Sequence, residues 1–160
     1  MQHIDKKAIS ARFFHCFHNE SHLSIAVKLG VSRQSVDQWK NNDRPIPWEK
    51  LKVVVDTLGL SWDWLIEGWE PRERRHINIE RAEGMEFDLR GINARFLSLF
   101  TQMTQQEIAD EVGVSRGAVQ SWQNNRRKVP WERMRYAVHR KGVSWEWLIE
   151  GRDPKFLEAP

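Results

Sequence analysis

Part of this chain is written twice. The ten residues from Gly30, GVSRQSVDQW, return from Gly113 as GVSRGAVQSW, an offset of 83 in residue number. At that offset Ile25-Ala26 meets Ile108-Ala109, Asn41-Asn42 meets Asn124-Asn125, and Pro47-Trp48-Glu49 meets Pro130-Trp131-Glu132. SWDWLIEG from Ser61 meets SWEWLIEG from Ser144, and Ile9, Ala11, Arg12, Phe13 and Phe17 meet Ile92, Ala94, Arg95, Phe96 and Phe100. Without a gap, 28 of 61 positions are identical between residues 8–68 and 91–151. Chance gives only a few identities, so the chain is an internal duplication. The offset is too long for the unit of a solenoid and implies two small domains instead. The sequence places them at residues 5–69 and 87–153. Residues 70–86, rich in alternating charge and holding Pro71, read as a linker.

Hydrophobic spacing predicts helices throughout. Ile9, Phe13, Cys16 and Phe17 recur at helical intervals, as do Ile92, Phe96, Leu99 and Phe100. A second helix is expected from about Ser21 to Leu29 and from Thr104 to Val112, with Thr104 and Glu107 spaced as a capping box. Gly30 and Gly113 suit a left-handed stop. Ser32 and Ser115 then suit the N-cap of a third helix, which turns Val36 and Trp39, or Val119 and Trp122, inward. A fourth helix starts near Pro47 or Pro130, since proline fits a first turn. A short fifth covers SWDWLIEG or SWEWLIEG. No strand-like alternation is present, so the expected fold is all-α.

A helix, a tight glycine turn and a capped helix form a helix-turn-helix. Small Ala26 and Ala109 allow close approach of the two helices. With Val and Trp inward, the third helix is free to present Arg33, Gln34, Asp37 and Gln38, or Arg116, Gly117, Gln120 and Ser121. Arg pairs with guanine O6 and N7, Gln with adenine N6 and N7, and Asp accepts from cytosine N4. Around these lie candidate phosphate contacts: His22, Ser32, Lys40, Asn41, Asn42 and Arg44 in copy one. In copy two they are Gln105, Ser115, Asn124, Asn125, Arg126, Arg127 and Lys128.

IAVKLGVSRQSVDQW and IADEVGVSRGAVQSW resemble the helix-turn-helix of lambda-type repressors. The later W-x-N-N-x-R-x-x-P-W pattern and the SWEWLIEG stretch are similar, more narrowly, to the bacteriophage CI repressor family. The resemblance covers both copies, hence most of the chain. It implies two tandem five-helix domains, each placing its third helix in the major groove of a double-stranded DNA operator. It further implies dimeric binding, a repressor's role in transcription, and residence in the cytoplasm of a bacterial cell. Such repressors often carry a further C-terminal dimerisation or self-cleavage domain, whereas here RDPKFLEAP follows the second copy. Two arrangements follow: a homodimer, or an intramolecular pseudo-dimer in which the second copy replaces a partner subunit. RNA polymerase is a further partner if the protein acts by contact instead of by occluding a promoter.

The other features are less specific. The composition is globular, with 40% apolar and 29% charged residues. No apolar run nears the roughly 20 residues of a membrane span, so no membrane partner is expected. Arg12, His15 and His18 interrupt the N-terminal stretch, which makes it a poor signal peptide. Lone Cys16 excludes an internal disulfide and fits a reducing cytosol. His15, Cys16, His18 and His22 look metal-like, but they align with Ser98, Leu99, Thr101 and Gln105, so no metal or other cofactor is expected. No phosphate loop, C-x-x-C, H-E-x-x-H or G-x-S-x-G is present, and an enzyme is not expected. Trp39, Trp48, Trp122 and Trp131 read as core. Trp62 and Trp64 are two apart, so one of them is expected to be exposed, as is one of Trp145 and Trp147, either at an interface between domains or chains or with partial burial within its own domain. The run Arg72-Glu73-Arg74-Arg75 reads as solvated linker, with a basic arm along DNA as the alternative.

The copies differ in charge. The net charge is +3. Residues 1–70 and 71–90 both balance, so the excess lies in residues 91–160. Asp37 and Asp43 stand where copy two has Gln120 and Arg126. The second copy is therefore expected to bind DNA more tightly. The rival reading is a protein-binding antirepressor or adaptor that keeps the repressor fold and docks on a repressor partner. Asp37 favours it and Arg116 opposes it.

Overall fold

The structure, a computed structural model, describes residues 3–74 and 86–157. Among these residues it is entirely helical, with ten α-helices and no strand. The chain divides into two compact units, Asp5–Glu86 and Phe87–Pro160, the second also taking in Met1–Ile4. The first unit holds α1 (Lys6–His15), α2 (His22–Leu29), α3 (Arg33–Lys40), α4 (Trp48–Leu58) and α5 (Trp62–Glu67). The second holds α6 (Leu89–Ser98), α7 (Gln105–Val112), α8 (Arg116–Gln123), α9 (Trp131–Lys141) and α10 (Trp145–Glu150). Every helix of the second unit starts and stops at the offset of the sequence repeat from its counterpart in the first.

Side-chain caps begin most helices. The first amide groups of a helix have no partner within it, and a side-chain oxygen at the N-cap supplies one, worth about 1 kcal/mol. Asp5 and Asp88 cap α1 and α6, Ser21 and Thr104 cap α2 and α7, and Ser61 and Ser144 cap α5 and α10. Thr104 and Glu107 form the full capping box. Helices α4 and α9 instead start directly after Pro47 and Pro130, without a side-chain cap.

Buried aromatics hold each unit. Phe13 meets Trp39 edge-on with ring centroids 6.1 Å apart, and Phe96 meets Trp122 in the same way at 5.6 Å. Two cationic side chains per unit close helix ends. Lys50 donates to the Leu29 carbonyl at the end of α2, and Arg133 to the Val112 carbonyl at the end of α7, both at 2.9 Å. Arg12 donates to the Leu65 and Ile66 carbonyls of α5, and Arg95 to Leu148 and Ile149 of α10. Burial lowers the pKa of both guanidinium groups, opposed by Asp5 and Glu67 around Arg12 and by Asp88 and Glu150 around Arg95. A Cβ on Gly68 would lie 2.8 Å from the Arg12 guanidinium, and Gly68 also has φ of 79°. The positive φ requires glycine where α5 ends, and a Cβ there would also push the Arg12 guanidinium aside.

Each unit extends beyond the limit expected from sequence. Residues 71–74 are not linker. The Ser61 amide donates to Arg72 O (2.7 Å), the Arg74 amide donates to Gly59 O (2.8 Å), and Leu60 bridges Glu73. The second unit repeats this: the Ser144 amide donates to Lys155 O, the Leu157 amide donates to Gly142 O, and Val143 bridges Phe156. The turn into each return segment holds a cis proline, Pro71 or Pro154. Residues 75–85 of the expected linker, Arg75 included, lie outside the described residues.

These return segments also overturn two further expectations. Neither member of either Trp pair is exposed: Trp62 and Trp145 are fully buried, Trp64 is buried and Trp147 half-buried. Arg72 lies over the Trp64 ring at 5.2 Å and Lys155 over Trp147 at 4.6 Å. A cation thus covers the indole that its own short helix leaves open. Arg74 is not solvated either. It pairs with Asp56 at 3.1 Å, and Asp56 also pairs with Lys52 at 3.0 Å, all three side chains being almost fully buried. Arg72 additionally donates to Cys16 Sγ at 3.5 Å. Burial raises the Cys16 thiol pKa, and the Arg72 charge and this hydrogen bond work against that rise.

Candidate nucleic-acid interface

The candidate residues lie on the stretch from α2 to the loop after α3, and from α7 to the loop after α8. Gly30 ends α2 at φ 64°, ψ 37°, and Gly113 ends α7 at φ 74°, ψ 42°. Nothing lies within 4 Å of a Cβ built on Gly30. The backbone conformation, and not space, therefore requires glycine there. Two residues on, Ser32 Oγ accepts from Ser35 N and Ser115 Oγ accepts from Ala118 N, both at 3.1 Å. The next helix therefore starts with its polar side outward and with Val36 and Trp39, or Val119 and Trp122, buried.

On α3, Arg33 and Gln34 are exposed, while Asp37 and Gln38 are partly covered. Asp37 takes part in a small network: its Oδ1 lies 2.5 Å from His22 Nδ1 on α2, and its Oδ2 lies 4.0 Å from Arg33 Nε. His22, expected at a phosphate, is thus drawn onto the outer face of α3. On α8, Arg116, Gly117 and Gln120 are exposed and Ser121 is half-covered, its hydroxyl donating to Gly117 O at 3.0 Å. Gln105, the counterpart of His22, accepts from Arg116 Nε at 3.2 Å and donates to Gln123. The two networks use matching positions but different bonds, and they differ in charge. A carboxylate balances Arg33, whereas an uncharged amide orients Arg116 and leaves its charge in place.

Past each helix the chain turns through a left-handed asparagine, Asn42 (φ 60) and Asn125 (φ 57). Asn tolerates this conformation better than most residues. Asn41, Asn42 and Arg44 are exposed, as are Asn124, Arg126 and Arg127. Asn125 is half-covered and accepts from Asn93 Nδ2 at 3.4 Å. Lys40 is exposed and reaches over the Phe14 ring at 5.0 Å. Lys128 lies over the Trp131 ring at 4.0 Å and donates to Val129 O, which turns it toward its own domain. Asp43, at the position of Arg126, is exposed.

Sequence reading did not single out Asn93. It is buried on α6, donates to Trp122 O (3.2 Å) and Arg127 O (2.8 Å), and accepts from Val129 N (2.9 Å). It fixes the end of α8 and the basic loop together. Ser10 holds this place in the first unit with a single bond to Trp39 O at 3.0 Å. The available signal was a polar residue on the apolar stripe of the first helix in both copies. Among the described residues no three His, Cys, Asp or Glu side chains are grouped as metal ligands, and no helix is long and apolar enough to cross a membrane. Comparison with protein-family models, curated proteins and solved structures found no match to this chain.

Proposed function

We propose that this protein is a sequence-specific double-stranded DNA-binding regulator of transcription. Each unit acts as a helix-turn-helix domain and reads one half-site, through α3 in the first and α8 in the second. The observation that carries this reading is the outer face of α8. Arg116 and Gln120 stand exposed on a helix whose apolar side is buried, beside a loop tied to Asn93 that presents Asn124, Arg126 and Arg127. A side chain with bidentate geometry next to phosphate-directed cations has the composition needed to read base edges while gripping the backbone. Binding would repress by covering promoter DNA.

Selection from a randomised duplex pool with the intact chain tests the proposal. Two enriched motifs at fixed spacing are expected, with affinity that falls steeply as salt rises. No enrichment at low salt would refute it. A second reading, a protein-binding adaptor, draws on one observation: Asp37 balances the charge of Arg33 on the first unit's outer helix face.

A further inference from the structure

Residues four apart on a helix stand one turn apart on the same face, so the outer sides of α3 and α8 each carry two neighbouring stripes. On α3 the stripes are Arg33 with Asp37 and Gln34 with Gln38. On α8 they are Arg116 with Gln120 and Gly117 with Ser121. The two helices share a serine cap and the same buried Val and Trp, so matching positions leave the backbone in the same direction.

Different stripes are open in the two units. In the first, the Arg33–Asp37 stripe is occupied by its own unit: Asp37 reaches His22 at 2.5 Å and Arg33 at 4.0 Å. Releasing Arg33 to a base would leave the Asp37 carboxylate facing phosphates with His22 alone beside it. The neighbouring stripe is open. Gln34 is exposed and Gln38 half-covered, and among the described residues neither side-chain amide is hydrogen-bonded. The second unit reverses this. Gly117 has no side chain, and the Ser121 hydroxyl donates to Gly117 O at 3.0 Å, back onto its own helix. Arg116 is oriented by Gln105 at 3.2 Å and keeps its charge, while the exposed Gln120 amide is not hydrogen-bonded among the described residues.

We propose that the two units read unlike half-sites, the first through Gln34 and Gln38 and the second through Arg116 and Gln120. This rests on the DNA-binding reading above and names the ligand more closely. A glutamine amide offers one donor and one acceptor, which match adenine N6 and N7, and the arginine fork matches guanine O6 and N7. The first half-site is therefore marked by adenines at two positions, and the second by a guanine and an adenine. The stripes are also displaced around the helix from each other, so they meet different base pairs of the groove. An operator with two unlike halves repeats in neither orientation, and one chain binds it in a single direction.

The test is selection from a randomised duplex pool with the intact chain and two variants of it. The wild-type chain should enrich two dissimilar motifs. Gln34→Ala, Gln38→Ala should lower the preference for adenine about tenfold at each of two positions of the first motif. It should leave the second motif and the thermal midpoint unchanged, since neither amide is bonded within the fold. Gly117→Gln, Ser121→Gln, which installs the first unit's open stripe, should add adenines to the second motif. A Cβ on Gly117 would meet only Ser115 Oγ, at an ordinary 3.8 Å, so the helix admits that side chain. A single motif, or two copies of one motif in either orientation, overturns the proposal and leaves DNA binding standing. So does a Gln34→Ala, Gln38→Ala chain that still selects the wild-type pair. No enrichment at low salt refutes the DNA-binding reading, and this inference with it.

Discussion

Helices α3 and α8 have the same length, the same cap and the same two buried anchors, but they partner their outward arginine differently. On α3, Asp37 stands between His22 and Arg33, so the outward cation has a carboxylate partner. On α8 the matching aspartate is Gln120, and Arg116 is held by the neutral amide of Gln105. The backbone that aims a side chain and the charge that side chain delivers are set by different residues. A duplicated domain can therefore keep the first and vary the second.

The largest effect expected from breaking this comparison lies in the closures of the two units. Asp56 is the carboxylate between two buried cations, Lys52 and Arg74. Asp56→Ala leaves them without it and should destabilise the first unit by about 3–5 kcal/mol. The matched His139→Ala, at an exposed position, should cost only a small fraction of that. Urea unfolding followed by tryptophan fluorescence would show this, and equal losses would mean that the ion triad does not distinguish the units. Next comes the pin under the basic loop, where Asn93 accepts from Val129 N and Ser10 donates to Trp39 O. Asn93→Ala strands the Val129 amide in a buried site and should cost about 1–3 kcal/mol, against about 1 kcal/mol for Ser10→Ala, by the same unfolding measurement.

The effects on DNA are of similar size or smaller. On a selected duplex, Arg116→Ala should lose about 1–3 kcal/mol of affinity by fluorescence anisotropy, and Arg33→Ala clearly less. A larger loss at Arg33 would reverse the ranking of the two heads. The smallest effect expected is a gain: Asp37→Gln, which gives α3 the residue that α8 has, should tighten binding by about 0.5–1 kcal/mol, the scale of one screened surface charge. No gain in the same titration would show that Asp37 itself makes a productive contact.

The helices and their caps were legible because their signals are local. Gly30, Ser32, Thr104 with Glu107, and the Val and Trp anchors all act within a turn or two of themselves. The return segments were not legible, although Pro71 and Pro154 fall on the same offset as the rest of the repeat. A run such as Arg72-Glu73-Arg74 looks solvated until Asp56, far upstream on α4, is known to receive Arg74. The expected exposure of one tryptophan in each pair failed for the same reason. Helical geometry does put Trp62 and Trp64 on different faces, but the cation that covers the second comes from outside the helix. In the candidate interface the residue types and their outward placement were readable. The pairing of His22 with Asp37 was not, because it joins two helices.

The paired, tilted indoles of the two units, one buried and one half-buried in each, give the protein an optical property. Trp48 and Trp62 lie with ring centroids 6.4 Å apart at 38°, and Trp131 and Trp145 repeat this at 6.3 Å and 35°. Chromophores this close and this similarly tilted couple their transitions, so each unit should contribute nearly the same near-ultraviolet circular dichroism band. Such bands vanish when fixed tertiary packing is lost. A chain whose halves melt separately would lose that band in two steps of similar height, and one that melts as a whole would lose it in one.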